Sequence, residues 1–208
     1  MRPILNRTRV SFVILLSLLL AVGCSADPRV QADRAIQQAN EDITAHDELF
    51  DEARAAYSDA QQTIRETNEN SESENSDSES TNDEGTAPES QAAASISEAR
   101  GKLRDARSRL EEARGEISGI QDQEVSDDLL EYSQTLEDAI SAQMRAEKRE
   151  ISFYEILAED PGLEENREQA MELLDEASQA YTEAENGYKE ANSIADSNPE
   201  LVAPESGS

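Results

Sequence analysis

The chain has 208 residues, of which 47 are acidic and 18 are lysine or arginine, so its formal net charge is −29. A field of that sign excludes nucleic acid and anionic lipid surfaces as partners of the protein body. With one cysteine and one histidine, the chain lacks the residues for an internal disulfide or for a metal or haem site that needs several of either.

Residues 1–23 have the composition of an export signal peptide. Arg2, Arg7 and Arg9 precede a short, mostly apolar stretch from Val10 to Val22. That stretch is shorter than a typical membrane-spanning helix. We therefore predict that residues 1–23 are a cleaved signal peptide.

The lone cysteine, Cys24, ends the run Ala21-Val22-Gly23-Cys24. This run resembles the lipobox of prokaryotic lipoproteins, with Ala21 where leucine is usual. The resemblance covers residues 1–25 and implies cleavage before Cys24 and a diacylglyceryl group on its thiol. Cys24 is thus the predicted lipidation site, and the protein is expected to be extracytoplasmic and anchored to the cell membrane. Ser25 in place of the retaining aspartate implies the outer membrane in a diderm organism.

An ordinary secretory signal is the alternative interpretation of the same residues. Ala21 and Gly23 are small, and small residues before the cut suit a signal peptidase as well. A free cysteine in an exported chain then needs another explanation.

A sevenfold repeat predicts a long first helix within residues 24–67. Asp27 and Pro28 fit an N-cap and a first helical proline, and the pattern continues to about Thr67. The spacing is typical of a coiled coil. The first seam carries Ile36, Ile43, Phe50, Tyr57 and Ile64, and the second, the alanine seam, carries Ala32, Ala39, His46, Ala53 and Ala60.

Residues 68–90 differ abruptly in composition. They are glutamate, serine, asparagine, aspartate and threonine, apart from Gly85, Ala87 and Pro88, and include no large apolar residue. We expect a disordered acidic linker here.

Residues 91–198 form a predicted three-helix region. Helix two starts between Gln91 and Ser95 and ends at Gly119. Helix three runs from about Gln123 to Ala158. Helix four runs from about Pro161 to Ala195, with Asp160 as its N-cap. Residues 199–208 contain two prolines and are expected to be a disordered tail. Each helix has a stripe of mostly apolar residues on one face. In helix two it is Ile96, Leu103, Leu110 and Ile117 with Ala99, Ala106 and Ala113. In helix three it is Val125, Leu129, Tyr132, Leu136, Ile140, Met144, Ile151 and Tyr154, and in helix four it is Leu174, Tyr181 and Tyr188 with Ala170, Ala177, Ala184 and Ala191.

These elements predict an all-α protein, built as an up-down antiparallel helical bundle or as coiled-coil-like hairpins. Short turns after helices two and three make antiparallel neighbours. Two arrangements of helix one remain open. It either docks on helices two to four, or stands apart from them, alone as a stalk or paired with another copy.

No motif with recognisable chemistry is present. Glu-x-x-His pairs, Cys-x-x-Cys-His and zinc spacings do not occur, and a calcium loop centred on Gly85 fails at Ser80 and Gln91. His46 lies on the alanine seam and is interpreted as a structural histidine that could make stability depend on pH. The tyrosines are interpreted as core residues whose hydroxyls reach the bundle edge.

We therefore expect a lipid-anchored extracytoplasmic scaffold or interaction protein that is not an enzyme and uses no cofactor. Its partner would be a protein, or a second copy, docked on the helix seams, and the membrane would be contacted only through Cys24. The alternative is a ligand-binding envelope lipoprotein with a pocket between helices two to four, lined by Tyr132, Tyr154, Tyr181 or Tyr188.

Overall fold

The computed structural model describes residues 27–73 and 86–201, and these residues form four long helices. The helices are α1 (Pro28–Ser73), α2 (Thr86–Ser118), α3 (Asp127–Glu159) and α4 (Arg167–Ser197), followed by a 3-10 turn, Pro199–Leu201. No strand occurs within these ranges, so the all-α prediction is confirmed. No helix described here is long and apolar enough to cross a membrane. The predicted signal peptide and Cys24 lie outside the described residues.

The helices pack as an up-down antiparallel bundle, as predicted. In each hairpin, the partners run backward along one helix as they run forward along the other, which is the mark of antiparallel neighbours. The contacts that show this are Asp42–Arg109 at 3.5 Å and Glu52–Lys102 for α1 and α2, Arg104–Glu155 at 2.6 Å and Arg107 to the Met144 carbonyl at 3.4 Å for α2 and α3, and Arg145–Glu183 at 2.7 Å and Arg149–Glu176 at 2.8 Å for α3 and α4.

The core consists of two apolar clusters, one in each half of the bundle. The first joins the start of α1 to the end of α2, the first half of α3 and the end of α4. The second joins the middle of α1 to the start of α2, the end of α3 and the start of α4. Every residue of the alanine seam of α1 is at most 1 % exposed, because the small side chains let the helices approach closely. Helix α1 is therefore part of the bundle, and the stalk arrangement is not found.

Both helices beside the predicted linker are longer than the sequence pattern indicated. Helix α1 continues to Ser73 and α2 already begins at Thr86. Residues 68–73 contain no glycine or proline, and Pro88 falls in the first turn of α2, where a missing N–H removes no helical hydrogen bond. Residues 74–85 of the predicted linker lie outside the described residues.

The connection between α3 and α4 differs from the prediction that Asp160 and Pro161 begin helix four. Asp160 is instead the C-cap of α3, and its carboxylate accepts hydrogen bonds from the backbone N–H groups of residues 164, 165 and 166 at 2.9–3.1 Å. These bonds lower the pKa of Asp160. Leu163 has a φ of 50°, which a helix cannot contain, so α4 begins only at Arg167.

Two further boundaries differ. Helix α3 starts at Asp127, because Ser126 is the N-cap and its hydroxyl accepts from the Leu129 N–H at 3.4 Å. The predicted free tail begins later than residue 199, since Leu201 is 2 % exposed and packs in the first apolar cluster. Residues 202–208 lie outside the described part of the chain.

Candidate functional site

Three ionisable side chains lie buried at mid-height of the bundle, between the two apolar clusters. His46 and Glu147 are 0 % exposed and Glu150 is 4 % exposed. His46 takes its place on the alanine seam of α1, and the two glutamates lie one helical turn apart on α3. We call these three residues, with the side chains that bind them, the buried polar cluster.

His46 is held between two carboxylates. Its Nε2 lies 2.6 Å from Oε1 of Glu147, and its Nδ1 lies 2.9 Å from Oδ1 of Asp47. An ionised carboxylate only accepts hydrogen bonds, so a ring that serves both partners donates from both nitrogens and carries a positive charge. Asp47 is largely exposed and connects the ring to solvent.

The pKa values of this pair are both raised. Burial by itself would lower the pKa of His46, but the hydrogen bond and the charge of Glu147, followed by those of Asp47, raise it above its ordinary 6.5. Burial raises the pKa of Glu147 above 4.5, and His46 partly opposes that rise. The folded protein therefore holds a proton here more tightly than the unfolded chain does.

Glu150 binds three donors. The Tyr154 hydroxyl donates to its Oε1 at 2.6 Å, the Tyr181 hydroxyl donates to its Oε2 at 2.6 Å, and Arg54 donates to the same Oε2 at 3.1 Å. Burial, together with the charge of Glu150, raises the pKa of both tyrosines, so they stay neutral donors. The cluster thereby ties α1, α3 and α4 together.

Arg54 is fixed by aromatic rings as well as by Glu150. Its guanidinium carbon lies 4.8 Å from the ring centre of Phe50 and 5.8 Å from that of Tyr181. These distances are within the range of a cation–π contact. Since 46 % of the Arg54 side chain is exposed, it forms the boundary between the buried polar cluster and solvent.

A cleft of about 320 Å³ opens at that boundary, between α1, α3 and α4. We call it the α4 cleft. Leu174, at a predicted seam position, is 37 % exposed on its wall, and Met171, one turn earlier on α4, is 58 % exposed. The residues that line the cleft include Arg54, Glu150, Leu174, Ala177, Ser178 and Tyr181.

Two buried oxygens beside the cluster have no hydrogen-bond partner among the described residues: Oε2 of Glu147 and the hydroxyl of Tyr188. Burial, with the charges of Glu147 and Asp47, raises the pKa of Tyr188. Within residues 27–73 and 86–201, no group of three or more histidine, cysteine, aspartate or glutamate residues is placed to hold a metal ion.

The structure places the predicted residues as follows. His46 is buried in the bundle, as its seam position indicated. Tyr132 and Tyr154 are core residues, but the Tyr154 hydroxyl points to a buried carboxylate and not to the bundle edge. Tyr181 is half-buried and lines the α4 cleft.

Sequence reasoning missed Glu147 and Glu150, although their spacing carries a signal. The apolar stripe of α3 leaves an interval of seven residues between Met144 and Ile151, and Glu147 falls at the position that a helical stripe fills there. Glu150 precedes Tyr154 by one turn. A carboxylate at a stripe position is a signal for Glu147, whereas Glu150 is distinguished by the partners that α1 and α4 bring to it.

Comparison with known proteins gave no match to any family model, and no significant match among curated proteins or solved structures.

Proposed function

We propose that the chain is a lipid-anchored extracytoplasmic protein that acts as a helical scaffold or interaction partner at the cell envelope, and that it is not an enzyme. The proposal combines the lipobox resemblance at Cys24 with a bundle whose long helices present an acidic outer surface.

The position of α1 is the observation that supports this proposal most strongly. Cys24 lies only four residues before Pro28, the first residue of a helix that runs unbroken to Ser73. A helix of 46 residues is about 69 Å long at 1.5 Å per residue. A lipid on Cys24 would hold the start of α1 at the membrane and direct the other end of the bundle away from it.

The surface left for a partner differs from the one expected from the sequence. The seams of α1 and α2 are used inside the bundle, where their alanines and leucines are almost fully buried. A partner would therefore dock on the outer helix faces or at the α4 cleft.

The alternative function, a ligand-binding lipoprotein, was expected to have its pocket between helices two to four. The α4 cleft is lined by α3 and α4 as that expectation requires, but α1 takes the place of α2. Its volume of about 320 Å³ is at the lower end for small-molecule sites and suits one inserted side chain. The geometry therefore favours the interaction protein.

Replacing Cys24 tests the anchor. In its native host, the wild-type protein is expected to sediment with membranes, to partition into detergent and to incorporate labelled palmitate. Cys24→Ala is expected to abolish all three, because the thiol is the attachment point. Ser25→Ala alters the neighbouring residue and is expected to leave the distribution unchanged. An unaltered membrane fraction for Cys24→Ala would contradict the proposal.

A further inference from the structure

We propose that the α4 cleft is a docking site for a helical segment of a partner protein, one that inserts a large apolar side chain beside Leu174 and places lysine or arginine next to it. This inference deepens the proposed function, since it names the surface and the chemistry of the partner that an interaction protein requires.

Leu174 is the first observation. It continues the seam of Tyr181 and Tyr188 at sevenfold spacing, a position that normally faces another helix. Yet it is 37 % exposed, and Met171 on the adjoining turn is 58 % exposed. Among the described residues these are the exposed large apolar side chains. The bundle thus leaves one seam position of α4 without a helix over it.

The shape of the α4 cleft is the second observation. Its walls combine the apolar Leu174 and Ala177 with the ring of Tyr181. Its charged groups are all paired: Arg54 lies 3.1 Å from Glu150 and both are fixed by further contacts, and Glu185, the third charged residue of the lining, accepts from Lys189. A rigid, nearly neutral cavity of this size suits an apolar anchor side chain, the kind of contact that dominates protein interfaces.

Charge decides which occupant fits. Glu168, Glu172 and Asp175 lie on the same part of α4 as Met171 and Leu174, and Glu172 and Asp175 are exposed. Basic side chains beside the inserted residue would complement them. A second copy of this chain would bring another −29 charges against the same acids, so self-association is disfavoured.

The test uses the whole mature chain with Cys24→Ser, so that its outcome is independent of the anchor. Three labelled peptides of roughly 18 residues, about five helical turns, serve as probes. The first is an amphipathic helix with leucines on one face and lysines elsewhere, the second is the same composition shuffled to remove the apolar face, and the third has glutamate for lysine. Binding is measured by fluorescence anisotropy at moderate salt.

The first peptide is expected to bind, and the shuffled and acidic peptides are not. Met171→Gln with Leu174→Gln is expected to weaken binding about tenfold or more, as removal of an interface anchor does. Both positions are exposed, so helicity and the unfolding temperature should stay unchanged.

A matched pair of variants separates the cleft from the overall charge. Glu172→Gln with Asp175→Asn removes two charges beside the cleft, whereas Glu111→Gln with Glu116→Gln removes two exposed charges from α2. The first pair is expected to weaken binding about threefold more than the second. A photoreactive group in place of one peptide leucine should label α4 between residues 171 and 185.

Several results would overturn the proposal. They are equal binding of the shuffled peptide, no effect of the Met171 and Leu174 changes, equal effects of the two charge-removing pairs, or no binding by any of the peptides. A dimer in sedimentation equilibrium that Met171→Gln with Leu174→Gln dissociates would assign the cleft to a second copy. None of these results bears on Cys24, because the lipid anchor is tested separately by the Cys24→Ala variant.

Discussion

The charge on a single imidazole links the four-helix bundle to solution pH. His46 is fully buried, yet each of its ring nitrogens meets a carboxylate oxygen, at 2.6 Å for Glu147 and 2.9 Å for Asp47. A neutral ring has only one N–H to donate. Loss of its proton would remove the positive charge that compensates the buried Glu147 carboxylate, and an uncompensated buried charge is strongly destabilising.

The bundle is therefore expected to lose stability as pH rises through the folded-state pKa of His46. That pKa is raised above 6.5, so the contribution of the charged ring is fully present below pH 6.5 and is lost as pH rises through the higher folded-state pKa. The pKa of Glu147 is also raised, above 4.5, so this group likewise lowers the free energy of unfolding as pH rises. Between roughly pH 6 and pH 9, the free energy of unfolding should fall by about 1 kcal/mol more in the wild type than in His46→Gln.

Urea unfolding followed by circular dichroism across that pH range measures this difference. The comparison with His46→Gln removes the general effect of the other acids, which both chains share. Asp47→Asn, which keeps the Glu147 partner, should show an intermediate slope. Parallel pH curves for the wild type and His46→Gln would show that the ring is not charged in the folded protein.

For the buried polar cluster, the sequence predicted the position of His46 but not those of the two glutamates. The sevenfold spacing put His46 on an inward face, and the structure confirms it. Glu147 and Glu150 could not be recognised by residue type among 47 acids, because only the partners brought by α1 and α4 distinguish a buried carboxylate from a solvated one.

Among the elements, α3 and α4 lie in close contact at Gly187. A Cβ on Gly187 would lie 2.8 Å from the Cβ of Ala139 and 3.2 Å from its Cα. Backbone atoms cannot give way as a flexible side chain can, so the two helices would have to separate. This close contact requires the absence of a side chain at Gly187.

Gly187→Ala is thus expected to destabilise the bundle by about 1–3 kcal/mol, the usual effect of overpacking. Gly101→Ala is the matched control, since it is also in a helix but a Cβ there meets nothing within 4 Å. That change should stabilise by about 0.5–1 kcal/mol through helix propensity. Denaturant titration of both variants gives the comparison, and equal stabilities would contradict the close approach.

The local sequence pattern predicts some helix boundaries correctly and others wrongly. Ser118 and Gly119 end α2 where the sequence placed its end. The start of α4 was predicted too early, because Asp160 followed by Pro161 has the local form of a helix start. Asp160 instead uses its carboxylate to bind the backbone of the loop that follows, an arrangement that depends on how α4 folds back on α3.

Over the whole molecule, the excess of negative charge opposes the compact state. Outside the buried polar cluster, the inter-helix ion pairs Arg104–Glu155, Arg145–Glu183 and Arg149–Glu176 have largely exposed side chains, and exposed pairs contribute little. Raising sodium chloride from about 0.1 M to about 1 M shortens the screening length from about 10 Å to about 3 Å. The unfolding temperature is expected to rise by several degrees, measured by calorimetry.

Chloride is the appropriate anion for that experiment, since sulfate would also strengthen apolar burial. A variant set with neutralised surface acids, such as Glu111→Gln with Glu116→Gln, should show a smaller salt response. A decrease of the unfolding temperature with chloride would mean that attraction between the helices outweighs their repulsion.

The sequence by itself determined the helical class and most inward faces, and it predicts lipid attachment at Cys24, because hydrophobic periodicity and short motifs are local properties of the chain. It left open whether α1 joins the bundle, and it could not identify the buried polar cluster or the α4 cleft. Only the tertiary structure decided these, for a physical reason. Burial of a glutamate, exposure of a seam leucine and the charge of a histidine all depend on which distant side chains are brought within a few ångströms.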